Sequence, residues 1–256
     1  MSDSFVIYEK RSDEHLAVVT MNRPEVMNAL HPPATDELTA IWDDFAADPE
    51  MWVAILTGAG DRAFTVGDDL KHASSPPSFG AAGWGGLVTR FELWKPVIAA
   101  VNGWALGGGL EIALACDLAI ASEGARFGCP EARIGGSPSK VAQQLLRHLP
   151  RKVALAMLYT GQPIGAQEAY RVGLVNEVVP ADQLLPAAER WAREVTASAP
   201  LGVQAAKEAA FRGDGLPLEA AMRQAYPGNL RVRDSADSRE GRRAFAEKRP
   251  PRWEGR

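Results

Sequence analysis

An α/β fold is predicted from three observations. Short apolar runs of strand length alternate with helix-period stretches, glycine and proline punctuate them often, and the composition supplies a large core. The chain has 256 residues, 46% hydrophobic and 23% charged. That excludes a disordered, fibrous or small disulfide-stapled protein and predicts one or two domains. With 28 basic and 32 acidic residues the net charge is -4, so no overall basic field points to nucleic acid.

Residues 15–21 (HLAVVTM), 52–57 (WVAILT), 96–101 (PVIAAV) and 117–121 (DLAIA) read as buried strands bounded by Asn, Gly or Pro. Between the first two, Leu38, Ile41, Trp42 and Phe45 recur at helical spacing over residues 35–47, with Pro32 and Pro33 ahead of the start and Asp48-Pro49 behind the end. This is a strand–helix–strand unit. Residues 74–86 (SSPPSFGAAGWGG) read as a moving surface segment, a candidate lid. From about residue 138 the pattern is helical over 141–149, 152–159, 166–172, 182–198, 200–212, 216–226 and 235–248, interrupted by one strand at 174–179 (LVNEVV).

Cys116 and Cys129 cannot form a disulfide framework, and His15, His31, His72 and His148 lack the spacings of a zinc site. A cytoplasmic protein without a metal is expected. The N-terminal MSDSFVIYEK lacks a secretory pattern and no run approaches a membrane span of about 20 apolar residues, so a soluble protein without a membrane partner is expected.

The stretch 101–115 (VNGWALGGGLEIALA) carries the most chemical information. It reads as a strand, a turn at Asn102-Gly103, three glycines and an apolar helix. Glycines at a helix start uncover backbone N–H groups backed by the positive end of the helix dipole, which suits a negative oxygen. Gly107, Gly108 and Gly109 could equally serve tight packing alone. The run does not match a dinucleotide fingerprint or a P-loop. Glu111, in the first helical turn, could compensate the dipole. Glu131, in residues 127–131 (FGCPE), could be a helix-start charge behind Pro130. Two glutamates beside one anion-stabilising helix end would instead suit paired acid/base work. A third segment, residues 63–71 (AFTVGDDLK), could place a backbone N–H next to Gly67 opposite the triple glycine, making a two-donor pocket for a carbonyl oxygen.

Taken in order, these segments resemble the enoyl-CoA hydratase/isomerase family, the crotonase superfamily, over essentially the whole chain. The matching residues are Asn22-Arg23-Pro24 with Asn28-Ala29-Leu30, residues 63–71, Asn102-Gly103 through Gly109-Leu110-Glu111, and residues 116–121 (CDLAIA). They continue with residues 127–131, Thr160-Gly161, Ala166 through Gly173-Leu174-Val175, and Glu240-Gly241 to Lys248-Arg249. The resemblance implies a spiral of ββα units over residues 1–199 holding the CoA-thioester site. It also implies a helical region over 200–256 that builds a homotrimer or a dimer of trimers. The implied activity is enoyl-CoA hydration, with coenzyme A as part of the substrate and no separate cofactor.

By position, the resemblance assigns the oxyanion hole to the N–H groups of Asp68 and Gly108 and the catalytic pair to Glu111 and Glu131. Val26, Met27, Ala63, Val66, Asp69, Leu70, Lys71, Gly107 and Pro130 match substrate-binding positions, as do Phe245 and Lys248 from a neighbouring subunit. The chain departs from the family at Asp68, where a small residue is frequent. A charge there would weaken the hole, so its side chain is expected to point away or to read an unusual acyl group. Residues 139–142 (SKVA) replace a glycine-rich stretch, and Glu25 replaces a basic residue. The ending, residues 245–249 (FAEKR) with Trp253 and Gly255, is also similar to carnitinyl-CoA dehydratases. Enoyl-CoA isomerisation is a further alternative, and an RNA-binding or assembly role is a remote one.

Overall fold

A computed structural model describes residues 4–72 and 82–256. Strands β1 (Val6–Arg11) and β2 (Leu16–Met21) form an antiparallel hairpin and lead into α1 (Pro32–Ala47). Strands β3 (Val53–Gly58), β4 (Ala63–Thr65), β5 (Val97–Val101) and β6 (Trp104–Leu106) precede α2 (Gly108–Ala115). Then come β7 (Leu118–Ser122), β8 (Arg126–Gly128), α3 (Ser139–His148), α4 (Arg151–Thr160), β9 (Ile164–Gly165), α5 (Ala166–Arg171) and β10 (Glu177–Val179). The chain closes with α6 (Leu184–Thr196), α7 (Pro200–Gly213), α8 (Leu218–Arg223), α9 (Pro227–Asp234) and α10 (Ala236–Glu247).

The strands make two sheets, ordered β1-β2-β3-β5-β7-β10 and β4-β6-β8-β9. From β3 to β8 the chain alternates between them, one strand to each sheet per turn. The result is a spiral of ββ units with helices wound on. All pairs are parallel except the β1–β2 and β8–β9 pairs. Strands such as β3 are apolar throughout because both faces are covered. Val53 and Ile55 pack with Leu184, Ala188 and Ala192 of α6 on one side. Ala54 and Leu56 join Trp42, Phe45 and Phe64 in the larger core on the other.

Several boundaries differ from the sequence expectation. Helix α1 takes Pro32 and Pro33 into its first turn, where the missing N–H has no intrahelical acceptor to lose. Residues 216–226 contain only the short α8, and α9 begins at Pro227. Strands β4, β6, β8 and β9 are two or three residues long, too short for alternation to register. Of the candidate lid, residues 74–81 lie outside the described residues. Its end is not a surface segment: Trp84–Gly86 forms a 3-10 turn with Gly85 and Gly86 buried. Among the described residues, no helix is long and apolar enough to cross a membrane.

The C-terminal helices are tied to the spiral by specific contacts. The Lys207 ammonium of α7 donates to the Asp117 carboxylate at 2.7 Å and to the Lys95 carbonyl at 3.2 Å. The last residues fold back: Trp253 Nε1 donates to the Ala197 carbonyl, while Glu254 and Gly255 N–H groups donate to the Asp237 carboxylate.

Candidate active site

Two loops that are distant in sequence meet at the start of α2. Residues 66–69 run beside Leu30 as a parallel bridge, in which Leu30 N–H donates to the Gly67 carbonyl at 2.7 Å and Asp69 N–H to the Leu30 carbonyl at 2.9 Å. An extended residue between those two points its own N–H to the opposite edge. Asp68 is that residue, and among the described residues its N–H has no recorded acceptor. The adjoining Gly67 abuts α2: a Cβ built on it would lie 2.9 Å from the Gly108 nitrogen. Gly108 is the first residue of α2, so its N–H has no acceptor within the helix.

Each of the three glycines is required for a separate reason. Gly107 has φ +55°, a backbone that disfavours side chains, and a Cβ there would also stand 3.2 Å from the Glu131 carboxylate. A Cβ on Gly108 would meet the Trp84 ring at 2.9 Å. One on Gly109 would overlap the Thr65 carbonyl, because α2 packs directly on β4.

Glu111 and Glu131 come together around this helix start. Glu111 is 5% exposed, and burial pushes its carboxyl up to about 7. The Lys140 charge and the Val141 N–H at the start of α3 oppose that rise, while Glu131 adds to it. Glu131 sits in the 3-10 turn Pro130–Ile134, its carboxylate over Gly107. Burial raises it above the usual carboxylate range, its own N–H acting in the opposite sense. Glu111 Oε2 and Glu131 Oε2 are both buried without a hydrogen-bond partner among the described residues. Buried polar atoms are normally paired, so two unpaired carboxyl oxygens at one spot suit a substrate or water. Gln144 was not anticipated: its Nε2 donates to the Glu111 carbonyl at 3.3 Å, and its Oε1 is likewise buried and unpaired. Nothing in its amphipathic helix pattern marked it out.

Asp68 is half-buried. Its carboxyl is raised by burial and then by the neighbouring Asp69 charge. Asp69 is engaged internally, accepting from Arg23 Nη2 at 2.9 Å, His72 Nδ1 at 3.1 Å and Lys71 N–H at 3.3 Å. Burial acts to raise it, but those bonds win and hold it below the usual range. The Ala63 side chain is buried and its carbonyl accepts from both Asn28 and Asn102. Val26 and Met27 are half-buried on a loop shaped by left-handed Met27 and Asn28. Val66 is half-buried, Leu70 and Lys71 are exposed, and Pro130 is half-buried beside Glu131. Phe245 and Lys248 lie exposed at the end of α10, whose main neighbour is α9. Among the described residues no group of His, Cys, Asp or Glu converges as a metal site.

The fold brings two buried, unpaired carboxyl oxygens to the free amides of a helix N-terminus, an arrangement able to take a negatively charged oxygen. The comparisons specify it further. The enoyl-CoA hydratase/isomerase family model matches residues 11–256. The chain is 44% identical over 246 residues to an (E)-benzylidenesuccinyl-CoA hydratase from Thauera aromatica, covering 94% of this chain and 96% of that one. It is 42% identical over 247 residues to a carnitinyl-CoA dehydratase from Proteus mirabilis, covering 93% and 94%. The crystal structure of an enoyl-CoA hydratase/isomerase from Mycobacterium paratuberculosis superposes with a TM-score of 0.90 at 37% identity, covering all of both chains. The chain belongs to the enoyl-CoA hydratase/isomerase family, the crotonase superfamily, and is an enzyme of that family.

Proposed function

We propose that the protein catalyses the reversible syn addition of water to a 2-enoyl-CoA. In this reading the thioester carbonyl oxygen accepts hydrogen bonds from the Asp68 and Gly108 N–H groups. Attack of water at the β-carbon moves negative charge onto that oxygen, where both donors and the α2 dipole meet it without reorganising. Glu111 takes the proton of the water and Glu131 exchanges the proton at the α-carbon, the two carboxyls titrating as a coupled pair. The observation that carries the reading is the pair of buried carboxyl oxygens left without partners beside the start of α2. Two carboxyls favour hydration over double-bond isomerisation, for which one suffices.

Lys71 and, from a neighbouring copy, Phe245 and Lys248 are assigned to the nucleotide end of CoA. Phe245 is 88% exposed in the single chain, as expected of a side chain that a second copy covers, which supports the homotrimer or dimer of trimers that the family resemblance implies. The two free, buried cysteines suit a reducing cytoplasm. A second reading, dehydration of carnitinyl-CoA, is supported by the 42% identity to the Proteus mirabilis dehydratase.

The test is a panel of crotonyl-, cinnamoyl- and crotonobetainyl-CoA, followed by loss of conjugated-alkene absorbance. Hydration of at least one, falling by 10²–10⁴ in Glu111→Gln and in Glu131→Gln, is expected. Folded variants as active as the wild type would refute the assignment.

A further inference from the structure

We propose that the flat face of Trp84 is a wall of the acyl pocket, and that it selects planar acyl groups whose conjugation extends past the α,β double bond, 3-aryl-2-enoyl thioesters foremost. The proposal rests on the reading that the Gly108 N–H binds the thioester oxygen. A Cβ built on Gly108 would stand 2.9 Å from Trp84 Cδ2, 3.0 Å from Cε2 and 3.2 Å from Cγ. Three ring atoms at nearly equal range mean that Gly108 faces the plane of the indole, not its edge. Trp84 is half-buried, so the protein does not enclose it fully.

The turn that carries the wall is fastened on several sides. The Gly85 carbonyl accepts from Trp42 Nε1 at 2.9 Å, and the Gly86 carbonyl accepts from Arg90 Nε at 2.9 Å. Arg90 is in turn held by Asp43 at 2.6 Å. Both glycines have positive φ. A Cβ on Gly85 would press on Ile112 Cδ1 at 2.9 Å, and one on Gly86 on the Thr39 Cα at 2.7 Å. Helices α1 and α2 therefore clamp the turn, and Trp84 projects from a rigid base.

A conjugated enoyl thioester is coplanar with its own carbonyl. If that carbonyl oxygen is held at the Gly108 amide, the whole conjugated plane runs past the ring that covers Gly108. An aryl group on the β-carbon continues the plane and offers an offset-stacked partner to the indole. A tert-butyl group on the β-carbon, whose methyls stand out of the plane, meets the ring instead. Stacking at this strength corresponds to a preference of up to about tenfold.

The experiment compares kcat/KM for cinnamoyl-CoA, crotonyl-CoA and 4,4-dimethylpent-2-enoyl-CoA in the full-length wild type, Trp84→Phe and Trp84→Leu. The wild type is expected to favour cinnamoyl- over crotonyl-CoA by about tenfold. In Trp84→Leu the cinnamoyl rate falls about tenfold further than the crotonyl rate and the penalty on the tert-butyl substrate shrinks. Trp84→Phe retains most of the aryl preference. Parallel loss on all substrates would show that Trp84 only packs and would overturn the proposal, as would a wild type with no aryl preference.

If Trp84→Leu does not fold, titration with the saturated analogues 3-phenylpropanoyl-CoA and butyryl-CoA decides: equal affinities in the wild type overturn the proposal, and tighter aryl binding, most of it kept by Trp84→Phe, supports it. A wild type that prefers aryl thioesters in binding yet hydrates none would refute the hydratase reading while leaving the pocket wall standing.

Discussion

Replacing Glu111 with Gln should stabilise the fold and remove its chemistry in one step. Burial raises this carboxyl from an ordinary 4.5 to about 7. Between those values the folded chain holds a proton that the unfolded chain has released, so stability falls as pH rises from 4.5 through about 7, and the cost is constant above that. A rise of this size corresponds to about 3 kcal/mol. Gln has nearly the same shape, can still accept from the Val141 N–H, and never ionises. At pH 8 the variant should therefore be more stable than the wild type by up to about 3 kcal/mol, a gain of about 6 °C in Tm for a chain of this length. The gain should shrink as pH falls and vanish near pH 4.5. Calorimetry from pH 5 to pH 8 on the same oligomeric species reads this directly, and the hydratase assay on the same samples should show a loss of 10²–10⁴. A variant that melts at or below the wild type at pH 8, or a Tm difference indifferent to pH, would refute the reasoning that Glu111 is held unpaired for function.

If Glu111 acts as the base in hydration, kcat/KM should fall about tenfold per pH unit below about 7, since only the ionised form accepts a proton; a stopped-flow pH series would show the limb, and the residual rate of Glu111→Gln should lack it. Gly108→Ala drives a methyl into the Trp84 ring at 2.9 Å. It should cost about 1–3 kcal/mol in denaturant unfolding, a loss that Trp84→Leu partly relieves in the double variant. Lys207→Met leaves Asp117 with Oδ1 already buried and unpaired, and it should cost about 3 kcal/mol and speed limited proteolysis of α7–α10. Lys71→Ala should raise KM for CoA thioesters a few-fold at low salt, with little change in kcat and less effect at high salt.

Much of the site was legible because its parts are local. The run of three glycines before an apolar helix announces exposed N–H groups whatever surrounds it, and Gly67 with two acidic neighbours marks a loop. The strands at the centre of the larger sheet were readable from their unbroken apolar runs, and α1 from Leu38, Trp42 and Phe45. The short β4, β6, β8 and β9 carry no period of their own, since each exists only by pairing with a neighbour contributed by another turn of the spiral. Trp84 read as part of a surface loop because Gly and Pro dominate residues 74–86. The turn that carries it is held by Trp42 and Ile112 and its ring covers Gly108, and no local window contains these residues.

The amino-acid order by itself determined the α/β class, the central strands, the helix that ends its glycine run in exposed amides, and the family through motifs in register. Only the tertiary structure decided that Gly67 abuts Gly108, that two carboxyls 20 positions apart share a helix start with an unpaired oxygen each, that Asp69 is held by Arg23 while Asp68 is not, and that an indole covers the Gly108 α-carbon. The division follows from range. Propensity and periodicity act between residues a few positions apart, whereas burial, desolvation and close approach depend on which distant segments the packed core brings into contact.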